Sequence, residues 1–161
     1  MIYSFNPIIN HDSKILILGS IPGKESIRKN QYYANERNQF WQIIYNIFNS
    51  DIPPSYNERC NFILKNNLAL WDVLKNAERH DSLDSSIKDE ILNDFEEFLY
   101  MYPNINKIIF NGTKAKSSFK KHFKNIYSSF ECLTVPSSSP TPGINVKSFE
   151  EKLDIWRNSI L

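Results

Sequence analysis

Asn38 stands at the point where Arg37-Asn38-Gln39-Phe40-Trp41 turns into an aromatic run, and its carboxamide suits two tasks. As a helix N-cap, its oxygen would accept a backbone N–H of the first turn. A carboxamide fixed in that way also holds a water by hydrogen bonds, although it is too weak to act as a strong base. Such a group fits a reaction that needs an oriented water rather than a powerful nucleophile. Upstream lies Gly19-Ser20-Ile21-Pro22-Gly23. Its glycines let the backbone approach a flat ligand closely, with N–H groups aimed at the ligand's edge. The same five residues also read as an ordinary strand-to-helix turn. They lack the Lys-Ser/Thr ending of a P-loop and the spacing of a dinucleotide fingerprint.

Ser20, Ser137, Ser138 and Ser139 raise the alternative of a serine hydrolase. That chemistry needs a base, usually His, held by a third group. His11, His80 and His122 do not follow strands as a triad His does, and Ser20 is not in a GxSxG elbow. No His, Cys, Asp or Glu cluster has metal-ligand spacing, so no metal site is expected. Ser137 to Gly143 carries Pro140 and Pro142 and no long side chain. It reads either as a surface loop or as a stiff wedge, ordered at little entropic cost, that presses into a nucleic-acid groove.

These residues need elements to position them. Ile15 to Leu18 is an uninterrupted aliphatic run ended by Gly19, the pattern of a strand buried on both faces. Leu68 to Leu74, Lys107 to Gly112 and Phe130 to Val135 are further strand candidates, each emptying into polar residues at Asp72, Asn111 or Ser137. Helical spacing runs through Asn38 to Phe48, Glu58 to Asn66, Ile87 to Tyr102 and Thr113 to Phe123, and through a last segment with Phe149, Leu153 and Trp156 inward. Strands alternating with helices predict an α/β fold, an open and mostly parallel sheet with helices on both faces. Ligands of such sheets bind beyond the carboxyl ends of the strands.

The 161 residues, 41% of them hydrophobic, suffice for one domain spanning residues 1–161. A net charge of +1 gives no global pull toward nucleic acid or membrane, so any such preference must be local. Asp81 to Glu97 is acidic and Lys107 to Lys124 basic; these read as two solvated helix faces, or the basic one as a grip on a phosphate backbone. Cys60 and Cys132 lie far apart outside any CxxC, consistent with free thiols in a reducing cytoplasm. Met1 to Pro7 lacks the features of a signal peptide, and no apolar run is long enough to span a bilayer.

GSIPGKESIRKNQYYANERNQFW resembles the first active-site motif of the uracil-DNA glycosylase superfamily, and within it the hypoxanthine-DNA (deoxyinosine) glycosylase branch. LALWDVL followed by Arg79 and SLDSSIK, then IIFNGTKA, then PSSSP, extend the resemblance in order over nearly the whole chain. It implies a three-layer α/β/α sandwich around a four-stranded parallel sheet. It also implies a monomeric, monofunctional enzyme that flips a deaminated base, hypoxanthine or uracil, out of double-stranded DNA and hydrolyses its N-glycosidic bond. By match to the motif, Asn38 would position the water, and Gly19, Ser20, Ile21, Pro22 and Gly23 would line the base pocket. Tyr33 and Phe40 would stack on the base or close its edge, and Asn111 would read it through its amide. Ser137, Ser138, Ser139 and Pro140 would press the DNA backbone. No cofactor and no obligate protein partner are implied.

Two departures stand out. Uracil-excising members carry a His in the second motif where this chain has Ser137, and the branch's His-Pro before the Asn is here Asn35-Glu36. The second departure keeps open another reading, a nucleic-acid or nucleotide binding module that retained the fold without the chemistry.

Overall fold

The computed structural model describes residues 1–81, 83–140 and 146–161. Its centre is a four-stranded parallel sheet in the order β3-β2-β6-β7, formed by β2 (Ile15–Gly19), β3 (Leu68–Asp72), β6 (Lys107–Asn111) and β7 (Glu131–Val135). β2 pairs with β3 from Ile15 opposite Leu68 to Gly19 opposite Asp72, and with β6 from Ile15 opposite Lys107 to Leu18 opposite Phe110. The chain leaves β2 for β3 on one side and later returns to β6 on the other. The strand order therefore reverses between β2 and β6, whose carboxyl ends are Gly19 and Asn111, and a ligand crevice opens at such a reversal.

Alternation along the strands divides the core in two. Ile17, Leu68, Leu70, Ile109 and Val135 face one side, against α2 (Phe40–Ile47), α3 (Tyr56–Lys65) and α7 (Phe149–Ile160). Leu16, Leu18, Ala69, Ile108 and Phe110 face the other, against α4 (Phe95–Met101) and α5 (Thr113–His122). Each fully buried Leu, Ile or Phe contributes roughly 1.5–3 kcal/mol of transfer free energy, which makes this double-sided apolar set the main anchor of the sheet. Helices on both faces give the three-layer sandwich expected from the sequence. The short helices α1 (Lys24–Lys29) and α6 (Lys124–Ser129) complete the helical set. Cys60 and Cys132 are free thiols.

A second, antiparallel sheet, β1-β4-β5, was not expected. β1 (Ile2–Tyr3) and β5 (Lys88–Leu92) flank β4 (Leu74–Glu78), which follows β3 after the single residue Val73. The helix expected over 87–102 is therefore a strand and then a helix. Asp94 marks the break: its side chain accepts the Glu97 N–H as N-cap of α4, and Asp89 sits in the left-handed region at φ 53°, which a helix interior does not use. The regular spacing through Phe95, Phe98 and Leu99 belongs to α4 alone. No helix among the described residues is long and apolar enough to cross a membrane.

Candidate active site

The strands of the parallel sheet deliver residues to one cavity of about 650 Å³ at their carboxyl ends. Gly19 comes from β2, Asp72 from β3 and Asn111 from β6, and Ser137 to Pro140 lie just past β7. Ser20 to Gly23, Tyr33 and Asn38 form a further wall, with Arg79 and Asp84 closing it from the antiparallel side. This volume is that of a small-molecule site and accommodates a nucleobase.

Asn38 sits on this wall in a turn closed by hydrogen bonds. Asn35 Oδ1 accepts the Arg37 N–H at 2.9 Å, and the Asn35 carbonyl accepts the Asn38 N–H at 2.9 Å. Asn38 Oδ1 accepts the Phe40 N–H at 3.0 Å, which fixes the plane of the carboxamide. The helix starts at Phe40 with Gln39 as its N-cap, so Asn38 stands one residue outside the cap position expected for it. Asn35-Glu36 thus supports a complete turn in place of His-Pro.

Two contacts tie this turn to the loop after β7. The Gln39 N–H donates to the Ser138 carbonyl at 2.9 Å, and Lys152 Nζ of α7 donates to Gln39 Oε1 at 3.0 Å. Trp156, one turn further along α7, donates its indole N–H to the Pro136 carbonyl at 2.9 Å. The last helix therefore holds both loops at once.

Tyr33 takes φ 55° to reach the cavity, and its ring stacks on Phe40 with centroids 4.0 Å apart. Phe40 itself is 0% exposed and does not line the cavity. The structure corrects the expectation that Phe40 faces the base: its position at the start of the amphipathic α2 turns it into the core, where it backs Tyr33. Burial pushes the Tyr33 phenol pKa well up.

Asn111 also differs from expectation. Its Nδ2 donates to Ser138 Oγ at 2.9 Å and to Tyr33 Oη at 3.3 Å, while its Oδ1 accepts the Ser138 N–H at 2.9 Å. Both amide hydrogens are engaged inside the protein, so Asn111 ties Tyr33 to the loop after β7 rather than presenting a free amide. Ser138, which it holds, is 0% exposed. Ser137 is exposed and accepts the Ser139 N–H at 3.1 Å; Ser139 and Pro140 are half-buried on the cavity wall. Gly112, at φ 94°, lets β6 turn into α5 directly beneath this loop, since a Cβ there would stand 3.2 Å from Ser137 Cβ. Thr141 to Gly143, the remainder of the expected wedge, lie outside the described residues.

Ser20 Oγ donates to Asp84 Oδ1 at 2.9 Å, and none of His11, His80 and His122 lines the cavity. A serine nucleophile there would lack its base, so the serine-hydrolase reading falls. The lysines of α5 do not line the cavity either, and Lys114 is paired with Glu90.

Asp72 was expected at a strand end, and Arg79 and Asp84 lie in segments of the resemblance, but none of the three had been given a role in the site. Arg79 Nη2 donates to the Pro22 carbonyl at 2.6 Å and so braces the Gly19–Gly23 turn. Asp72 is 4% exposed, its Oδ2 has no hydrogen-bond partner among the described residues, and burial pushes its pKa up to about 7. The negative charge of Asp84 adds to the rise, and the Arg79 guanidinium opposes it. The signal for Asp72 was a lone acid inside the otherwise apolar LALWDVL.

The family model described as the uracil DNA glycosylase superfamily matches residues 7–158. The chain belongs to that superfamily. Its curated relatives include a hypoxanthine DNA glycosylase of Methanosarcina acetivorans, 37% identical over 153 residues, 94% of this chain and 93% of that one. Another is a hypoxanthine DNA glycosylase of Methanosarcina barkeri, 41% identical over 112 residues, 69% of this chain and 71% of that one. Among solved structures, the solution NMR structure of a Methanosarcina acetivorans protein described as a candidate uracil DNA glycosylase superposes with a TM-score of 0.83. It is 33% identical, and the match covers 98% of this chain and 95% of that one. This superfamily member thus carries an Asn at the helix-start turn, a glycine turn after β2 and a serine loop after β7, all on one cavity.

Proposed function

We propose that this DNA glycosylase of the uracil DNA glycosylase superfamily draws a deaminated base, hypoxanthine first, out of duplex DNA into the cavity at the strand ends and hydrolyses its N-glycosidic bond with a water positioned by Asn38. The observation that carries the proposal is the Asn38 carboxamide on the cavity wall, its plane fixed by the Phe40 N–H at 3.0 Å. The choice of hypoxanthine is supported by the relatives that bear that activity in their names.

Extrusion of the base is needed because the bond is out of reach inside the stack, and a deaminated base in a weak pair is the cheapest to extrude. The C1′–N electron pair leaves with the base, and the sugar passes through an oxocarbenium-like state that the oriented water captures. Gly19 to Gly23 present backbone to the base edge. Tyr33, stiffened by Phe40 behind it and Asn111 beside it, offers a ring face for stacking. Ser137, Ser139 and Pro140 meet the DNA backbone on a loop anchored from below by buried Ser138.

The test is a duplex with a single hypoxanthine or uracil, scored for alkali-labile strand breaks. Excision by the wild type, lost in Asn38→Ala, is expected. Absence of excision of any deaminated base overturns the activity, and salt-dependent binding without product would point instead to a binding module.

A further inference from the structure

Asp72 lines the cavity as a buried carboxyl whose chemistry the reaction above leaves unused. Its backbone is already locked: the carbonyl accepts Asn93 Nδ2 at 2.8 Å, and the following N–H, of Val73, donates to the Gly19 carbonyl at 2.8 Å. The side chain adds nothing to that lock. Oδ2 has no partner among the described residues, and Arg79, the nearby cation, is directed to the Pro22 carbonyl. Gly19 is bare on the side facing it, since an added Cβ would stand 2.8 Å from Asp72 Oδ1 and 3.1 Å from Tyr33 Oη. A buried carboxyl oxygen without a partner is costly to keep. Position in a ligand cavity gives that cost a use.

We propose that Asp72 is the general acid of the glycosylase: its neutral carboxyl donates a hydrogen bond to a nitrogen or carbonyl oxygen of the flipped base and passes its proton there as the C1′–N bond breaks. This rests on the function proposed above. The electron pair of the C1′–N bond stays with the base, the proton from Asp72 neutralises it, and the base departs uncharged. The water held at Asn38 adds to C1′ and gives up one proton, which restores the Asp72 carboxyl. Protonating the leaving group in this manner typically contributes about a hundredfold or more.

The groups facing Asp72 come from several elements. Asp84 on the 3-10 turn (Asp84–Ser86) favours the protonated form, Arg79 past β4 opposes it, and the Tyr32 and Tyr33 phenols are uncharged neighbours whose own ionisation its charge disfavours. Asp81 bears on the same balance through Arg79.

The experiment measures kcat/KM for excision of hypoxanthine by the full chain from pH 5.5 to 9, and compares uracil with 5-fluorouracil, which needs less help to leave. In the wild type the rate should be level below about pH 7 and fall tenfold per pH unit above it. Asp72→Asn should lose roughly a hundredfold on the acid side and lose the falling limb. It should lose less on 5-fluorouracil than on uracil, a split that a structural role would not produce. A wild-type rate flat from pH 6 to 9, or an Asp72→Asn enzyme with the wild-type profile, overturns the role of Asp72 while leaving the glycosylase intact. A wild type that excises no base removes both readings. Should the variant not fold, the wild-type limb decides alone.

Discussion

Replacing Asp72 with Asn removes a buried ionisable group whose Oδ2 has no hydrogen-bond partner among the described residues, and the consequence for stability can be worked out with its sign. The carboxyl is 4% exposed, and its pKa moves from the ordinary 3.8 to about 7 on folding. A folded-state value above the unfolded one means that the unfolded chain releases this proton first as pH rises. The stability associated with the protonated group is therefore fully present below about pH 4 and is lost progressively up to about pH 7. At about 1.4 kcal/mol for each tenfold, the loss is roughly 4 kcal/mol at most. Asn at this position is neutral throughout and is spared the loss. Asp72→Asn should thus match the wild type near pH 4 and exceed it by up to roughly 4 kcal/mol at pH 8, or about 10 °C in Tm for a chain of this size. Urea and thermal denaturation of both proteins at pH 4, 5.5, 7 and 8 measure this directly, because other carboxylates cancel in the difference. A difference that does not change with pH, or an Asn variant less stable at pH 8, would refute the claim that the fold opposes ionisation of Asp72.

Gly19→Ala would set a methyl 2.8 Å from Asp72 Oδ1 and 3.1 Å from Tyr33 Oη. The expected cost is about 1–3 kcal/mol in denaturation, with excision falling more steeply than stability because both displaced groups line the cavity. Asn111→Ala would strand the N–H of fully buried Ser138 and free the Tyr33 hydroxyl. A loss of roughly 2–3 kcal/mol in urea denaturation is expected, together with faster hydrogen exchange at Ser138; unchanged exchange would contradict the tie between strand end and loop.

The parts of the fold that follow from local pattern were legible in the sequence. The run Ile15 to Leu18 sits at the middle of the parallel sheet, and the polar residues after each strand meet at one cavity, because a buried parallel strand has both an apolar signature and a defined end. What escaped depends on partners distant in sequence. The segment 87–92 forms a strand only because β4 lies alongside it, while the apolar spacing of α4 ran on past Asp94 to suggest one long helix. Asn111 looks like a reader of bases until Ser138, 27 residues on, occupies its amide. Phe40 was expected at the base, and the packing of Trp41 and Trp156 against it places it in the core instead. Asp72 was visible as an acid in an apolar strand, but its isolation depends on the bareness of Gly19 opposite in register.

The most direct test of the account is single-turnover excision from a duplex containing one hypoxanthine by the wild type and by Asn38→Ala, with DNA affinity measured alongside. Excision by the wild type is expected, with a loss of roughly several hundredfold in rate and retained affinity in the variant, the size of one strong transition-state contact. Full activity in Asn38→Ala would contradict the account.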